Sequence, residues 1–320
     1  MIHSFTVTNH TGRSLECELA NPWKEGLAIT SIDGLGPGQA TVNVADISST
    51  DGGLFNSARK SYRNIVFNFV FEDHDTLTIE DIRRKCYTYF PIKKNVKLKF
   101  VTTDYKTFTD FYIDGYVESN EPTIFSAKEG AQVSVICPNP YFYKSTLQEQ
   151  RFSLSSNPEF SFAFSKVPTD NTELLMGDVV PYVVSSVYYQ GDADTGVIVD
   201  ISFRSNVTHD PENPKTIRVA NSLTNTANIF SLEKVKNIVT NLLDGYTGIV
   251  AGDRITLSTI VGEKSLVYTH NNIDYNVLGA VEPSGKWVTI TTGDNYLVID
   301  KDSTVEITAS VKNKIYYYGV

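Results

Sequence analysis

The stretch YVESNEPTIFSAKEGAQVSVICPNPYFYK, from Tyr116 to Lys144, determines how the rest of the chain is organised. Within it, Val133, Val135 and Cys137 fall at every second position, which predicts a β-strand with one buried face. Two prolines follow and end any ladder pairing, because proline fixes φ and lacks a backbone N–H. The aromatic run Tyr141–Tyr143 then needs a surface to cover it. We therefore predict that one domain ends here and that a stiff segment leads to a second.

A length of 320 residues exceeds the size at which one core usually keeps growing, so we predict two domains, at residues 1–144 and 145–320. Aromatic residues at 12% of the chain, alongside many Val, Ile and Thr, favour sheet. The predicted fold class is mainly β. It comprises an N-terminal β-barrel or sandwich-like domain with one α-helix and a C-terminal antiparallel β-sandwich. We expect limited proteolysis to cut first between about Lys144 and Lys166, in a polar linker.

The net charge of −9 argues against a nucleic-acid partner, because phosphate binding requires a dominant basic surface. Residues 1–144 carry 15 basic and 17 acidic side chains, whereas residues 145–320 carry 13 and 20. The near-balanced first half suits side-by-side packing of subunits. No apolar run approaches the roughly 18 residues of a membrane span, so we expect no membrane partner. The N-terminus shows no signal-peptide pattern, which predicts folding in a cytoplasm.

The sequence contains no pattern typical of a catalytic, cofactor or metal site. The cysteines Cys17, Cys86 and Cys137 are widely spaced, which predicts reduced and buried side chains. The Gly-rich segment 34–38 contains a proline and no following Lys, so it predicts a turn rather than a phosphate loop. Residues 192–196 begin like a calcium loop but lack its later acidic ligands, which favours a hairpin turn. We expect neither enzymatic activity nor a cofactor.

The segment 48–63 is long, polar and glycine-bearing, yet it contains Leu54 and Phe55. Long loops in compact domains are usually functional or disordered. The simplest interpretation is a flexible surface hairpin. The alternative is an arm that packs on a neighbouring subunit, with the two apolar residues as anchors and with Arg59 and Arg63 in a basic cluster at its end.

A helix is predicted over Ile79–Phe90, with Thr78 as its N-cap and a proline after its end. Arg83 and Lys94 belong to a cationic run that extends from this helix to residue 99. Such runs usually form solvated faces. In an assembly of subunits, the same side chains could instead meet acidic residues of the adjacent subunit. Both residues are therefore candidates for a subunit interface.

Short strands with closely spaced turn signals fill most of residues 179–318, which is typical of an antiparallel sandwich. Trp287 lies on one of these predicted strands. A lone Trp in a sandwich is more often part of the core, whereas an exposed one could stack on a sugar ring. Leu232, Val235 and Val239 have the spacing of a short helix.

Several groups of residues carry a family resemblance, and all of them are read directly from the sequence. They are Glu118–Pro122, Phe125–Ser126, Cys137–Tyr143, the Asp-Gly-Gly-Leu-Phe-Asn segment at 51–56, Ala251–Asp253, Gly262–Lys264, Ser284–Trp287 and Thr292–Tyr296. With these residues the chain resembles the distal tail proteins of long-tailed, non-contractile (siphovirus-type) phages. The segments after residue 250 look like the galectin-like C-terminal domain of that family. The resemblance is strongest in residues 31–144 and weak across 145–245.

The resemblance implies a structural phage tail-tip or baseplate protein that connects the tail tube to the host-recognition apparatus. Its N-terminal domain would close into a homo-ring of six on the tail tube, and its galectin-like domain would project outward. Its partners would be the tail-tube protein, a tail-tip protein, and a receptor-binding protein or a host glycan. The chain would be made in a bacterial host cytoplasm and reside in the virion. The family segment at 51–56 favours the arm over the flexible hairpin.

The alternative function, from a different class, is a carbohydrate-binding adhesion module that binds host cell-wall glycans through the C-terminal domain. An exposed Trp287 in a groove with polar neighbours would favour this alternative, and a buried one would remove its best residue. A glycan hydrolase would require two facing carboxylates, and the sequence nominates no such pair.

Overall fold

The chain divides into two compact units in a computed structural model. Unit 1 comprises Met1–Thr146 and Tyr316–Val320, and unit 2 comprises Leu147–Ile315. The division after residue 146 falls close to the sequence-based boundary at Lys144. The last five residues differ from that prediction, which placed them in the second domain. They belong to unit 1 because their strand pairs with the aromatic run that follows Pro140.

The structure describes residues 2–46, 51–73, 76–104, 107–124, 128–153, 156–158, 177–283 and 285–320. Four of the sequence-based predictions fall at least partly outside these ranges. They concern residues 48–50 of the expected arm, Phe125–Ser126 of the family motif, Ser284 of the family segment Ser284–Trp287, and residues 154, 155 and 159–166 of the expected linker.

Unit 1 contains one α-helix and eleven strands among its described residues. They are β1 (Ile2–Asn9), β2 (Ser14–Glu18), β3 (Leu27–Asp33), β4 (Ala40–Asp46), β5 (Gly53–Lys60), β6 (Arg63–Phe71), α1 (Ile79–Tyr89), β7 (Asn95–Asp104), β8 (Thr107–Thr123), β9 (Gly130–Cys137), β10 (Phe142–Tyr143) and, in chain order, β25 (Tyr316–Tyr317). The main antiparallel sheet has the order β2-β1-β7-β8-β9-β6-β3, and β10 pairs with both β8 and β25. In the described part of the chain this sheet shows no barrel closure. The predicted mainly β fold is confirmed.

The core of unit 1 is built from phenylalanine rings that alternate along neighbouring strands. Phe67 on β6 stacks with Phe5 on β1 at a centroid distance of 5.0 Å and with Phe100 on β7 at 6.4 Å. All three side chains are fully buried. Alternation places them on one face of the sheet, because successive strand residues point to opposite sides.

Helix α1 covers this face and begins and ends close to where the sequence predicts. The Thr78 hydroxyl accepts from the backbone N–H of Asp81, whose carboxylate accepts from the Thr78 backbone N–H, which completes a capping box. Ile82, Cys86 and Phe90 are buried and point toward the sheet. The predicted helix and its N-cap are therefore confirmed.

Unit 2 has a second helix and fourteen strands among its described residues. They are β11 (Gln148–Arg151), β12 (Ser156–Pro158), β13 (Gly177–Val179), β14 (Tyr182–Tyr189), β15 (Thr195–Gly196), β16 (Ile198–Phe203), β17 (Thr216–Asn221), β18 (Thr226–Ser231), α2 (Leu232–Thr240), β19 (Arg254–Ser258), β20 (Ser265–His270), β21 (Ile273–Asn276), β22 (Thr289–Ile290), β23 (Gly293–Asp300) and β24 (Ile307–Asn313). Among the described residues, no helix is long and apolar enough to cross a membrane.

Two antiparallel sheets of unit 2 share one hydrophobic core, as the sequence-based sandwich requires. The six-stranded sheet has the order β11-β24-β16-β19-β20-β21, and the four-stranded sheet has the order β14-β23-β17-β18. Val199 and Leu257 from the first sheet and Val187 and Leu297 from the second are all fully buried in the same cluster. Helix α2 adds Val235 to this core. The galectin-like character of this unit stays a prediction.

Candidate functional site

Two strands of unit 1 stand apart from the main sheet and form a separate ribbon. β4 and β5, which together define the ribbon, pair antiparallel from Ala40 opposite Lys60 to Asp46 opposite Gly53. Nearly every residue of both strands is exposed. The expected loop over 48–63 is therefore wrong in its described part, because residues 53–60 form a regular strand. The alternation of Val42 and Val44 is the sequence signal that predicts the partner strand.

The ribbon exposes a stripe of large apolar side chains. Val42 and Val44 lie on one side of β4 and are 54% and 50% exposed, and Val44 pairs with Phe55, which is 63% exposed. Leu54, on the neighbouring position of β5, is 59% exposed and pairs with Ala45. Val42, Val44 and Phe55 therefore form an apolar surface on one face of the ribbon, whereas Leu54 lies on the opposite face, because successive strand residues point to opposite sides.

Such a ribbon is poorly suited to remain uncovered in water. An isolated two-stranded hairpin is marginally stable, and contiguous exposed apolar surface marks an interaction site. Full burial of a Val, Leu or Phe side chain is worth about 1.5–3 kcal/mol. The ribbon therefore offers several kcal/mol of stabilisation to any partner surface that covers it.

Arg63 lies at the base of the ribbon, but it does not face outward. Its side chain is buried, and Nε donates to the backbone oxygen of Pro140 at 2.7 Å. Its two other nitrogens donate to the oxygens of Gly34, Gly36 and Tyr318. Desolvation by burial lowers the pKa of the guanidinium from its ordinary value. Arg63 thus holds unit 1 together, and its prediction as a subunit-interface residue does not fit this structure.

The Gly-rich turn at 34–38 binds the Arg63 side chain through backbone carbonyl oxygens, whereas a phosphate loop binds its ligand through backbone N–H groups. A phosphate loop aims backbone N–H groups at an anion. Here the carbonyl oxygens of Gly34 and Gly36 accept from a cation. Gly34 has a φ of +86°, and a Cβ there would lie 2.1 Å from the Asn64 oxygen, so only glycine fits this turn.

The remaining predicted interface residues lie on the surface of unit 1. Arg59 is exposed on β5, and Lys94 is exposed in the turn between α1 and β7. Arg83 forms an ion pair with Glu80 one turn earlier on α1. Arg59 is the one of these three that lies on the ribbon. The interface roles of all three stay predictions.

Trp287 is partly buried and packs against the core of unit 2. The ammonium of Lys264 lies 5.0 Å from the centre of its ring. The adjacent cavity has a volume of about 170 Å³, and its lining combines the polar residues Asn228 and Glu282 with Leu278, Val281, Pro283, Gly285 and Trp287. The Lys264 ammonium competes with any sugar that would stack on this ring face.

Two histidine–carboxylate pairs in unit 2 have no local sequence signal, because 24 and 17 positions separate their members. His209 Nδ1 lies 2.9 Å from Glu233, and His270 Nδ1 lies 2.8 Å from Asp253. The Tyr268 hydroxyl also donates to Asp253. Burial raises the pKa of Tyr268, so this phenol stays protonated and acts as a fixed donor. These groups satisfy each other within a buried network, which is a structural arrangement.

The cysteines are buried, as the sequence predicts, and burial raises the pKa of each thiol to about 12. Within the described ranges, no three His, Cys, Asp or Glu side chains group closely enough to hold a metal ion.

The fold defines a class: a mainly β chain whose first unit carries an exposed ribbon and whose second unit is a β-sandwich. The chain shares this fold with the Dit protein of phage SPP1, at a TM-score of 0.59 and 12% identity, with 97% of this chain and 99% of that chain covered. It is also similar to a chain of the phage P2 baseplate in its activated conformation with Ca, at a TM-score of 0.47, 14% identity and 98% coverage of both chains. No family model matches the sequence. No curated protein matches it either.

The likeness to SPP1 Dit extends over both units and confirms the resemblance to distal tail proteins at the level of the overall fold, while the galectin-like character of unit 2 stays a prediction. That protein is described as a paradigm of the hub adsorption apparatus in phages that infect Gram-positive bacteria.

Proposed function

We propose that the chain is a structural subunit of a phage tail tip, which assembles into a ring of six and connects the tail tube to the host-recognition apparatus. The observation that carries the proposal is the exposed apolar ribbon. It lies on a chain that shares nearly its whole fold with a described hub protein. A hub protein must bind several neighbouring proteins at once. An apolar ribbon that is separate from the main sheet of unit 1 is suited to bind one of them.

A closed ring of identical subunits needs two different patches on each subunit, one for each neighbour. The ribbon supplies the first patch. The second is an exposed apolar surface at Ile92 and Tyr116, which are each 53% exposed. The turn that follows Ile92 is bonded to the strand that carries Tyr116, because the Lys93 N–H donates to the Val117 oxygen and the Lys94 oxygen accepts from the Val117 N–H. We define Ile92 and Tyr116 as the receiving patch, and Lys94 lies at its edge.

The charges of residues 1–144 support a ring built from unit 1. With 15 basic and 17 acidic side chains, this part presents both signs to a neighbour. Residues 145–320 carry a net charge of −7, and tight packing of such surfaces around an axis would be repulsive. The proposed partners are therefore further copies of the chain, the tail-tube protein and a tail-tip protein. The proposed location is the virion, and the proposed role is structural rather than enzymatic.

The glycan-binding alternative loses its best residue. Trp287 rests on the core of unit 2, and Lys264 covers its ring. A half-buried ring with a cation on its face offers little stacking surface to a neutral sugar. We do not carry this alternative further.

A measurement of mass in solution tests the proposal. Light scattering on the purified chain should give a species of six times the 35.6 kDa subunit mass. A strictly monomeric chain over the whole accessible concentration range, both alone and with the tail-tube protein, would overturn the proposal.

A further inference from the structure

The outer face of the six-stranded sheet carries a polar groove that neither the ring nor the core uses. The groove has a volume of about 390 Å³ and crosses strands β11, β24, β16 and β19. Its floor consists of the short side chains of Ser202, Thr308 and Ser310. Arg151 stands on one flank and Arg254 on the other, because Arg151 pairs with Ser310 and Arg254 pairs with Ser202. We refer to it as the arginine groove.

The arginines of this groove are left without carboxylate partners. Arg151, Arg204 and Arg254 are exposed, and none of them forms an ion pair with another described residue. Of the two acidic residues in the lining, Asp200 is already bound by Lys312 at 2.8 Å and by Thr256 at 2.7 Å. The guanidinium groups are therefore available to an external ligand.

The arginine groove has a positive net charge, whereas unit 2 around it is acidic. Four cationic and two acidic side chains line the groove, whereas residues 145–320 as a whole carry 13 basic against 20 acidic side chains. An acidic surface repels anions unless a site on it concentrates positive charge. The cationic groove on an acidic unit is thus suited to select an anionic ligand.

The lining also determines which class of anion fits. Phe152 is the one aromatic residue that lines the groove, and it is buried, so no ring face is offered to a neutral sugar. Guanidinium forks bind phosphate and carboxylate. Near Arg254, the hydroxyls of Ser202 and Thr308 make no hydrogen bond to another described residue, so they add free donors from other directions. A tetrahedral phosphate group, which offers oxygens in several directions, satisfies such donors better than a planar carboxylate.

We propose that the arginine groove binds an extended polymer whose units are joined by phosphodiester groups. The strands that carry Arg151 and Arg254 are three strand spacings apart, or roughly 14 Å at about 4.8 Å each. Two different phosphates of one extended chain could therefore bind at the Arg254 end and at the Arg151 end. This inference concerns unit 2 alone and holds whether or not the subunits form a ring.

The test uses the full-length protein, with a short synthetic poly(glycerol phosphate) chain as the probe and calorimetry as the measurement. Substituting Arg151→Gln, Arg204→Gln and Arg254→Gln together should weaken binding about tenfold or more, because charge-assisted bonds are lost at each position. The residues are exposed, so circular dichroism and the melting temperature should match those of the parent. A single Arg254→Lys variant should retain part of the affinity, since it keeps the charge but loses the fork.

A charge-matched control separates the groove from general electrostatics. Arg218→Gln, Lys234→Gln and Lys286→Gln remove the same three charges from exposed positions of unit 2 outside the groove. This variant should change the affinity by less than about twofold, as expected for screened surface charges.

Four results would overturn the inference. The first is that the parent protein does not bind the probe at millimolar concentration. The second is that the control variant loses as much affinity as the triple groove variant. The third and fourth are that poly-glutamate, or neutral dextran, binds as tightly as the phosphate polymer. Equal poly-glutamate binding would show that the groove does not select phosphate. Equal dextran binding would show that charge is not what the groove recognises.

Discussion

The Arg63 Nη2 atom donates a hydrogen bond of 2.6 Å to the backbone oxygen of Tyr318, 255 positions later in the chain. The aromatic ring of Tyr318 also contacts Lys60, whose ammonium lies 3.0 Å from the centre of that ring. The residues at the base of the ribbon therefore contact the chain segment 316–320 directly. A surface that protrudes needs a rigid base, and the buried guanidinium provides one because each of its nitrogens has an acceptor.

Replacing Arg63 by Met should destabilise unit 1 without altering its surface. The change would leave four carbonyl oxygens without their donor, and each unsatisfied buried group costs about 1–3 kcal/mol. Allowing for hydration of some of them, we expect a loss of roughly 3 kcal/mol or more in the free energy of unfolding. Denaturant unfolding followed by fluorescence would measure it.

The matched control is Arg13→Met, which removes the same charge from an exposed position of unit 1. It should change stability by less than about 0.5 kcal/mol. Arg63→Lys should fall between the two, since an ammonium cannot reach all four acceptors. An Arg63→Met variant as stable as the control would show that the buried hydrogen bonds contribute nothing net.

Removal of residues 316–320 should also destabilise unit 1. The truncation deletes β25, which pairs with Phe142 and Tyr143, and it removes the Tyr318 acceptor of Arg63. We expect a lower melting temperature and faster exchange of backbone amides at β10. A truncated chain that melts with the parent would show that this segment is dispensable.

The sequence predicts the elements whose side-chain pattern is local. Helix α1 follows from its capping box and apolar spacing, and β6 and β9 follow from strict alternation into a core. Strands β17 and β18 have a weaker local signal within the predicted sandwich, because their polar residues obscure the alternation of Ile217 and Val219. The return of residues 316–320 to unit 1 is a long-range pairing, which no local pattern encodes.

The candidate site is predictable only in part, because some of its residues are brought together by long-range pairing that no local pattern encodes. Leu54 and Phe55 are identifiable from sequence because apolar residues in a polar segment need a partner surface. Arg63 looked like a surface cation, since four backbone carbonyls that converge from distant segments leave no trace in composition. The arginine groove depends on strand register, which sets Arg151 and Arg254 on one face of the sheet.

Unit 2 should lose stability as the pH falls below about 6.5, partly because of His209. Burial lowers its pKa from the ordinary value of 6.5, although Glu233 opposes the shift. The unfolded chain therefore takes up a proton at His209 before the folded chain does. The neutral ring stabilises the fold above pH 6.5, and this contribution is lost as the pH falls through the lower folded pKa. The N–H of Ile249, which donates to Nε2, reinforces the neutral form.

The test compares unfolding of the parent and of His209→Gln between pH 7.5 and pH 5, by denaturant titration. The Gln oxygen can still accept from Ile249, so the variant should fold and show a shallower decline with pH. His10→Gln, at an exposed position of unit 1, should leave the parent profile unchanged. A His209→Gln profile as steep as that of the parent would assign the pH dependence to other groups.

Replacing Leu54 and Phe55 by Ser should prevent ring assembly while the monomer stays folded. Both side chains are exposed in the single chain, so their loss removes nothing from its core. If they are anchors at a neighbour, the concentration needed for assembly should rise about a hundredfold. Sedimentation velocity would measure it. Val261→Ser with Leu242→Ser removes equally exposed apolar side chains from unit 2 and should leave assembly unchanged.

The last prediction tests whether the ribbon and the receiving patch are the two complementary halves of one interface. Replacing Ile92 and Tyr116 by Ser should give a second assembly-deficient chain, which retains an intact ribbon. Mixed one to one, the two deficient chains share a single functional interface, because the ribbon of one can bind the patch of the other. The mixture should therefore form heterodimers and stop there, since each heterodimer has no further intact surface to offer. Heterodimers that fail to appear would show that the ribbon binds elsewhere, and rings in either deficient chain alone would remove its patch from the interface.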